Sequence, residues 1–455
     1  MLRPQQLICT ISALLLTSAL CAAPAEGEAK ATKYDKARAH WHEHYKVYGF
    51  ARNYISFDSR ETVTTVAGLF SYIPKDELWN VTPAQATAEG IERHDLNASP
   101  NVRFLSISTR VGLDINYLLE KTHIGGKIEA DFCAGVNGNG GTALFRMRHA
   151  YITLGWDSLS NKRNTNVKML IGQTWHPLTE DMPDVISLNS GAPFNAFNRS
   201  PQLRISTSAS GITATVAALW QMQYMSNGPS GTSTEYINHS CTPEIYAGIS
   251  YNTHGVTMKG GVDVLSICPR QKGQIIGTDG TTALDVKVKE RLTTVSPYIF
   301  AEYKHGLLRL AAKTIYAQAG EHLNLSGGYG VAEQRPDGSR RYTPTRSSST
   351  WLSISYGDRL KGSIMAGYAQ LFGTKDQVTG DTYFCGNSFK NVNRLWRVQP
   401  SITWSIGKYF VLGAEYELTS VQYGTFGKND THALATNDLH RVMNHRVQLM
   451  TMLKF

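Results

Sequence analysis

The chain has 455 residues, of which 42% are hydrophobic and 18% charged, with 40 glycines and a formal net charge of +9. That length suits one large barrel or about three average domains. Past the N-terminus no run of roughly eighteen apolar residues occurs, and the mean hydropathy is -0.26; this excludes a bundle of membrane-spanning helices, but not a membrane barrel, where only alternate residues face lipid.

The first residues read as a secretory signal. Arg3 supplies the positive start, Leu7 to Leu20 the apolar run, and Cys21, Ala22, Ala23 and Ala25 the small residues of a cleavage region. Leu20 is too large for the residue before a lipidated cysteine, so a signal peptide over 1–23 and export to an oxidising compartment are expected. Residues 24–46 form a polar periplasmic lead-in. His40, His42 and His44 alternate there around Trp41, a spacing that binds metal only in an extended segment, so they read as a solvated lead-in. Neither a metal site nor a cofactor is assigned. Basic residues are spread along the chain, which gives no reason to expect a nucleic-acid partner.

From residue 47 to 455 the pattern has the period of two that marks strands. About sixteen strands are predicted: 47–58, 103–117, 124–135, 143–156, 167–175, 202–209, 212–224, 242–252, 256–267, 292–303, 307–317, 351–356, 361–372, 394–405, 409–419 and 440–455. In the second, Leu105, Ile107, Val111, Leu113 and Ile115 share one face. In the last, Val447, Leu449, Leu453 and Phe455 oppose Arg446, Gln448 and Lys454. A lysine or arginine facing lipid at mid-bilayer costs roughly 2–4 kcal/mol, so the charged faces line the lumen. So many charges call for water, a channel rather than a dry core. Trp156, Trp351, Trp404, Tyr298 and Tyr409 lie near predicted strand ends, where interfacial aromatic girdles sit.

The connections alternate between short and long along nearly the whole chain, the one short exception being Val136 to Thr142, rich in Gly and Asn. Short turns fall near Ser210-Gly211, His254-Gly255, His305-Gly306, Gly357-Asp358 and Ile406-Gly407, and long loops span 59–102, 176–201, 225–241, 268–291, 318–350, 373–393 and 420–439. Outer-membrane barrels keep short periplasmic turns and long outer loops, and close their last strand on their first. The expected fold is therefore all-β: a transmembrane antiparallel barrel in the outer membrane, surrounded by lipid. Barrel assembly machinery is expected to engage its C-terminal strand.

Cys241 and Cys268 flank the hairpin at His254-Gly255 almost symmetrically and are predicted to form a disulfide, worth about 3 kcal/mol in the chain-entropy model. Cys133 and Cys385 receive no assignment.

The loop 176–201 is apolar for an outer loop and also carries Glu180, Asp181 and Asp184. Folded inward, it is the candidate constriction, facing wall arginines Arg110, Arg146, Arg148, Arg204, Arg309 and Arg397. Arginine suits bidentate carboxylate binding, and Arg146 with Arg148, one repeat apart, suit a dianion. The bland alternative for each arginine is a local ion pair, for example with Glu129 or Asp131. Anion preference is the expectation, tempered by the lumen acids Asp114, Glu129, Asp131, Asp263, Glu302, Glu415 and Glu417.

Five stretches resemble the DcaP-like branch of trimeric porins from Gram-negative outer membranes: Gly49-Phe50-Ala51-Arg52-Asn53-Tyr54 running to Asp58-Ser59-Arg60-Glu61, Arg146-Met147-Arg148-His149-Ala150-Tyr151, Leu170-Ile171-Gly172-Gln173-Thr174-Trp175, Gly191-Ala192-Pro193-Phe194, and Asn198-Arg199-Ser200-Pro201-Gln202. The resemblance covers mainly the first half. It implies a homotrimer of water-filled barrels whose inward loop and basic constriction pass small anionic solutes such as dicarboxylates, with Arg146 and Arg148 lining the pore. An enzyme is not expected: no Gly-x-Ser-x-Gly occurs, and His149 beside Tyr151 completes no catalytic set. The alternative is a structural or partner-binding barrel with a closed lumen.

Overall fold

Ser210 and Gly211 both have positive φ, and so do His254 and Gly255. Paired positive φ makes the type I′ turn, whose twist matches that of two antiparallel strands, so the chain doubles back within two residues. In the computed structural model the described residues are 41, 43–137, 142–157, 165–384, 389–427 and 431–455. The expected signal peptide, His40, His42 and Cys385 lie outside them.

Sixteen antiparallel strands make up the barrel. They are β1 (Tyr45–Asp58), β2 (Asn101–Leu105 continued by Arg110–Leu119), β3 (Thr122–Asp131), β4 (Arg146–Trp156), β5 (Asn166–Trp175), β6 (Arg199–Ala209), β7 (Ile212–Leu219) and β8 (Glu244–Thr253), then β9 (Val256–Ile267), β10 (Leu292–His305), β11 (Leu308–Gln318), β12 (Arg340–Gly357), β13 (Leu360–Thr374), β14 (Val392–Ile406), β15 (Phe410–Phe426) and β16 (Ala435–Lys454). Each pairs with its neighbour in sequence, and β1 pairs with β16 from Phe50–Lys454 to Asp58–Arg446, so the sheet has no edge. Connections from even- to odd-numbered strands have nine residues or fewer; the others are the longer loops, except that β15 and β16 extend so far that eight residues, 427–434, join them. Among the described residues no helix is long and apolar enough to cross a membrane.

The faces sort by polarity. On β16, Val447, Leu449 and Leu453 are about half exposed, while Arg446 and Gln448 are buried. On β14, Ile402 and Trp404 point out, while Arg397 and Gln399 point in. An outward belt of this composition is matched to hydrocarbon and not to water.

Strand β2 departs from the expected single face. Tyr54 pairs with Leu105, but Phe50 pairs with Arg110, so one extra residue sits in the bulge between the two halves. A one-residue slip exchanges the faces. Val102 and Phe104 face outward before the bulge and Val111 after it, while Leu105 and Ile107 pack inward beside Tyr54 and Leu69.

The lumen is not an open tube. Two outer loops fold into it: the first, through the hairpin Thr62–Thr65 and Phe70–Pro74, and the third, residues 176–198. Phe70, Tyr72 and Ile73 from one loop join Leu178, Phe194 and Phe197 from the other in a core completed by wall residues Phe300, Trp351 and Met365. Trp351 and Tyr298, expected in a girdle, are buried inside this core. Trp351 donates from its indole to Asn195 Oδ1 at 3.1 Å, and the Tyr298 hydroxyl pairs with that of Tyr246 at 2.8 Å. Trp404 and Tyr409 do face outward. Gly367 leaves room for the Phe194 ring; a Cβ there would overlap it.

The predicted disulfide is absent: Cys241 and Cys268 are free thiols. The register of β8 on β9 would place the two opposite each other if the ladder continued, but pairing stops at Ile245–Val264. Pro243 has no N–H to extend it, and before it the chain turns into the short helix Glu235–Ser240, which Cys241 ends with positive φ. The exposed Cys241 thiol faces His239 O, while the buried Cys268 thiol donates to Arg270 O at 3.2 Å.

Candidate functional site

Alternation on neighbouring strands assembles a basic wall inside the barrel. Glu129 and Asp131 project inward from β3, and Asp131 lies opposite both Arg110 of β2 and Arg146 of β4. Arg146 grips Asp131 with two donors, Nε at 3.0 Å and Nη2 at 2.8 Å. Arg148 donates to Glu129 at 2.7 Å and to Asp131 at 2.9 Å. Arg110 pairs with Glu129 at 3.3 Å. Three arginines thus share two carboxylates, and Arg110 and Arg146 keep about a fifth of their side-chain surface in solvent.

A fourth arginine was not singled out as a pore residue by sequence reasoning. Arg199 opens β6 directly opposite Trp175, the last residue of β5, so the pair stands at the two feet of the inward third loop. Its guanidinium lies 3.6 Å from the Trp175 ring centroid and donates from Nη1 to Gln223 at 3.0 Å. It is 2% exposed, makes no ion pair among the described residues, and its Nε and Nη2 have no hydrogen-bond partner. A cation–π contact of this kind is worth up to about 2 kcal/mol, less than burial of an unpaired charge costs. The wall therefore holds excess positive charge: four arginines against Glu129 and Asp131. The signal available in sequence was the Trp–Arg pair flanking one long loop.

The acids of the third loop meet cations on the far wall. Glu180 pairs with Arg204 at 2.5 Å, Asp181 with Lys259 at 2.6 Å, and Asp184 with Arg309 at 3.1 Å and Lys361 at 3.0 Å. Burial works to raise the Asp184 carboxyl, but the Ser355 hydroxyl, Arg309 and Lys361 outweigh it and hold the group below its ordinary 3.8. Beneath the loop, Glu180, Asp181, Arg204, Lys259, Tyr246 and Tyr298 are among the residues lining a pocket of about 190 Å³. Acidic loop and basic wall are thus in direct contact here, not separated by a passage.

Arg397 takes no part in a solvent-facing wall. It is 1% exposed and donates to Thr419 Oγ1 at 2.8 Å, Ala192 O at 2.9 Å and Tyr72 O at 2.5 Å, with Glu417 at 3.2 Å. It pins both in-folded loops to β14. Lys313 likewise holds Leu178 O and Asn195 Oδ1, and Glu415 accepts the Ile186 and Ser187 amides.

Comparison with protein-family models and with curated sequences finds no match. Solved structures do match in fold. The outer membrane channel DcaP of Acinetobacter baumannii is 17% identical, with 90% of this chain and 97% of that chain covered and a TM-score of 0.60. In-vitro folded OmpT, an outer membrane protein of Vibrio cholerae, is 12% identical over 90% of this chain and 97% of that one, with a TM-score of 0.50. The chain thus has the closed barrel fold of outer-membrane channels.

Proposed function

We propose that the chain is an outer-membrane porin, a passive diffusion channel for small hydrophilic anions. The observation that carries this reading is the arginine excess on the wall from β2 to β6: among the described residues Arg110, Arg146 and Arg148 share Glu129 and Asp131, and Arg199 makes no ion pair. An anion meets the solvent-facing edges of Arg110 and Arg146, and the buried, unpaired charge of Arg199 behind them adds to the positive potential there. Two carboxylates of one solute match two guanidinium forks better than one does, so dicarboxylates fit the wall. The fold shared with the DcaP channel supports the transport role.

Planar-bilayer recording under a KCl gradient tests it. Stepwise ohmic openings reversing toward the chloride potential are expected, and R199Q together with R146Q should move the reversal toward zero. Reversal toward the potassium potential would overturn the anion assignment. The apolar plug formed by the first and third loops favours a second reading, a closed structural barrel, and silence from correctly folded protein would select it.

A further inference from the structure

At the foot of the third loop four buried side chains from four elements converge. His176 is the first residue after β5, Glu244 the first of β8, Asp263 lies on β9, and His322 belongs to the one-turn 3-10 helix Gly320–Leu323 after β11. All are 1% exposed or less. Facing atoms of His176, Glu244 and Asp263 lie within 4.8 Å of one another. His322 Nε2 is 3.4 Å from Glu244 Oε1 and 3.6 Å from Asp263 Oδ2.

Protons and charges do not balance within this set. The Leu178 amide donates to His176 Nδ1 at 3.1 Å, so the His176 proton sits on Nε2, which donates to Glu244 Oε1 at 2.8 Å. His176 is therefore neutral. Two carboxylates remain against His322, which supplies one positive charge at most. Both ring nitrogens of His322, both oxygens of Asp263 and Oε2 of Glu244 lack hydrogen-bond partners among the described residues. Buried atoms of this kind are rarely left unsatisfied. The separations of His322 from both carboxylates are too long for good hydrogen bonds, which prefer about 2.7–3.2 Å. They do match the roughly 3.4 Å edge of a tetrahedron with metal–ligand bonds of about 2.1 Å.

We propose that Glu244, Asp263 and His322 bind one divalent transition-metal cation of the zinc class. The cation neutralises both carboxylates and accepts the lone pair of a neutral His322. The imidazole ligand favours zinc over calcium or magnesium, which prefer all-oxygen sites. His176 is a positioning residue: its Nε2–H fixes the Glu244 carboxylate, as outer-shell hydrogen bonds do at metal sites. The consequence is mechanical. The metal staples the turn after β11 to the wall strands β8 and β9, and His176 ties the start of the third loop to the same point. Phe197 N donates to Leu323 O at 2.9 Å and Asn198 Nδ2 to His322 O at 2.7 Å, so the far end of that loop rests on the stapled turn as well.

Because the site is fully enclosed, metal enters during folding. The test refolds full-length protein into detergent with ZnCl2 or with EDTA, removes free metal by gel filtration, and measures zinc by mass spectrometry on heat-modifiable barrels. The expected result is about one zinc per barrel, with a lower melting temperature for the EDTA-folded sample. H322A and the nearly isosteric D263N should both lose the zinc. H176A should keep the stoichiometry but weaken affinity about ten- to hundredfold. Folded wild type without zinc overturns the proposal, as does D263N that retains it. If wild type binds no zinc and D263N melts higher, the carboxylates share a proton instead, which also overturns it.

Discussion

Replacing Arg397 with methionine tests how the in-folded loops are held. The guanidinium is fully buried, donates to one carbonyl from each loop, and pairs with Glu417. Breaking a buried ion pair from one side costs about 3–5 kcal/mol, because the other charge is left uncompensated. The carbonyls of Ala192 and Tyr72 each lose a donor, at about 1–3 kcal/mol if they stay dry. Even with incomplete additivity about 5 kcal/mol is removed from the docked state, three to four orders of magnitude in the docking equilibrium. The loss falls on the loops, because the ladders of β14 with β13 and β15 use backbone groups alone. R397M barrels should therefore remain heat-modifiable, become cleavable by thermolysin within 176–198, and show larger or noisier single-channel currents. E417Q added to R397M should recover part of the docking, since it removes the stranded charge. R397M with wild-type conductance and wild-type protease resistance would refute the reasoning.

G367V should displace the Phe194 ring from its slot and open the third loop as R397M does; unchanged tryptophan fluorescence from nearby Trp351 would count against it. For Asp184 the sign follows from its lowered carboxyl: its pairing supports docking above pH 3.8 and is lost only as pH falls through the depressed value. Conductance should stay constant from pH 7 to about 4 and change below that, with D184N behaving at neutral pH like wild type in acid; a transition centred near pH 6 would assign the effect to another group. R199Q alone should lower anion preference without loosening the loop, as read by reversal potential and thermolysin together, because Arg199 makes no ion pair that holds the loop.

The barrel was legible because the lipid constrains every second residue. Strand number, loop rhythm and most inward faces follow from alternation alone. Alternation failed where something local broke the period. The bulge after Leu105 exchanged the faces of β2, and the polar run Ser347-Ser348-Ser349-Thr350 hid the first eleven residues of β12, which begins at Arg340. Trp351 and Tyr298 read as girdle residues because alternation does not say which aromatic positions an in-folded loop will cover; both point inward, into the loop core. The site was legible in its residue types but not in its pairing. Which carboxylate meets which arginine depends on the path of the folded loops, and no periodicity encodes that path. His176, Glu244, Asp263 and His322 span almost 150 residues and share no motif.

The seam between β1 and β16 has a kinetic meaning. Phe50 and Lys454 are about 400 residues apart along the chain, so bringing them together costs about 5 kcal/mol of closure entropy before any of that seam's hydrogen bonds form. Every other strand pair of the barrel joins neighbours in sequence. Assembly is then a fast accumulation of hairpins followed by one slow, distant event. During the wait, β1 and β16 are two unpaired sheet edges, the most aggregation-prone form of this sequence. The register that finally mates them decides, in one step, whether Arg446 meets Asp58 inside or faces lipid outside.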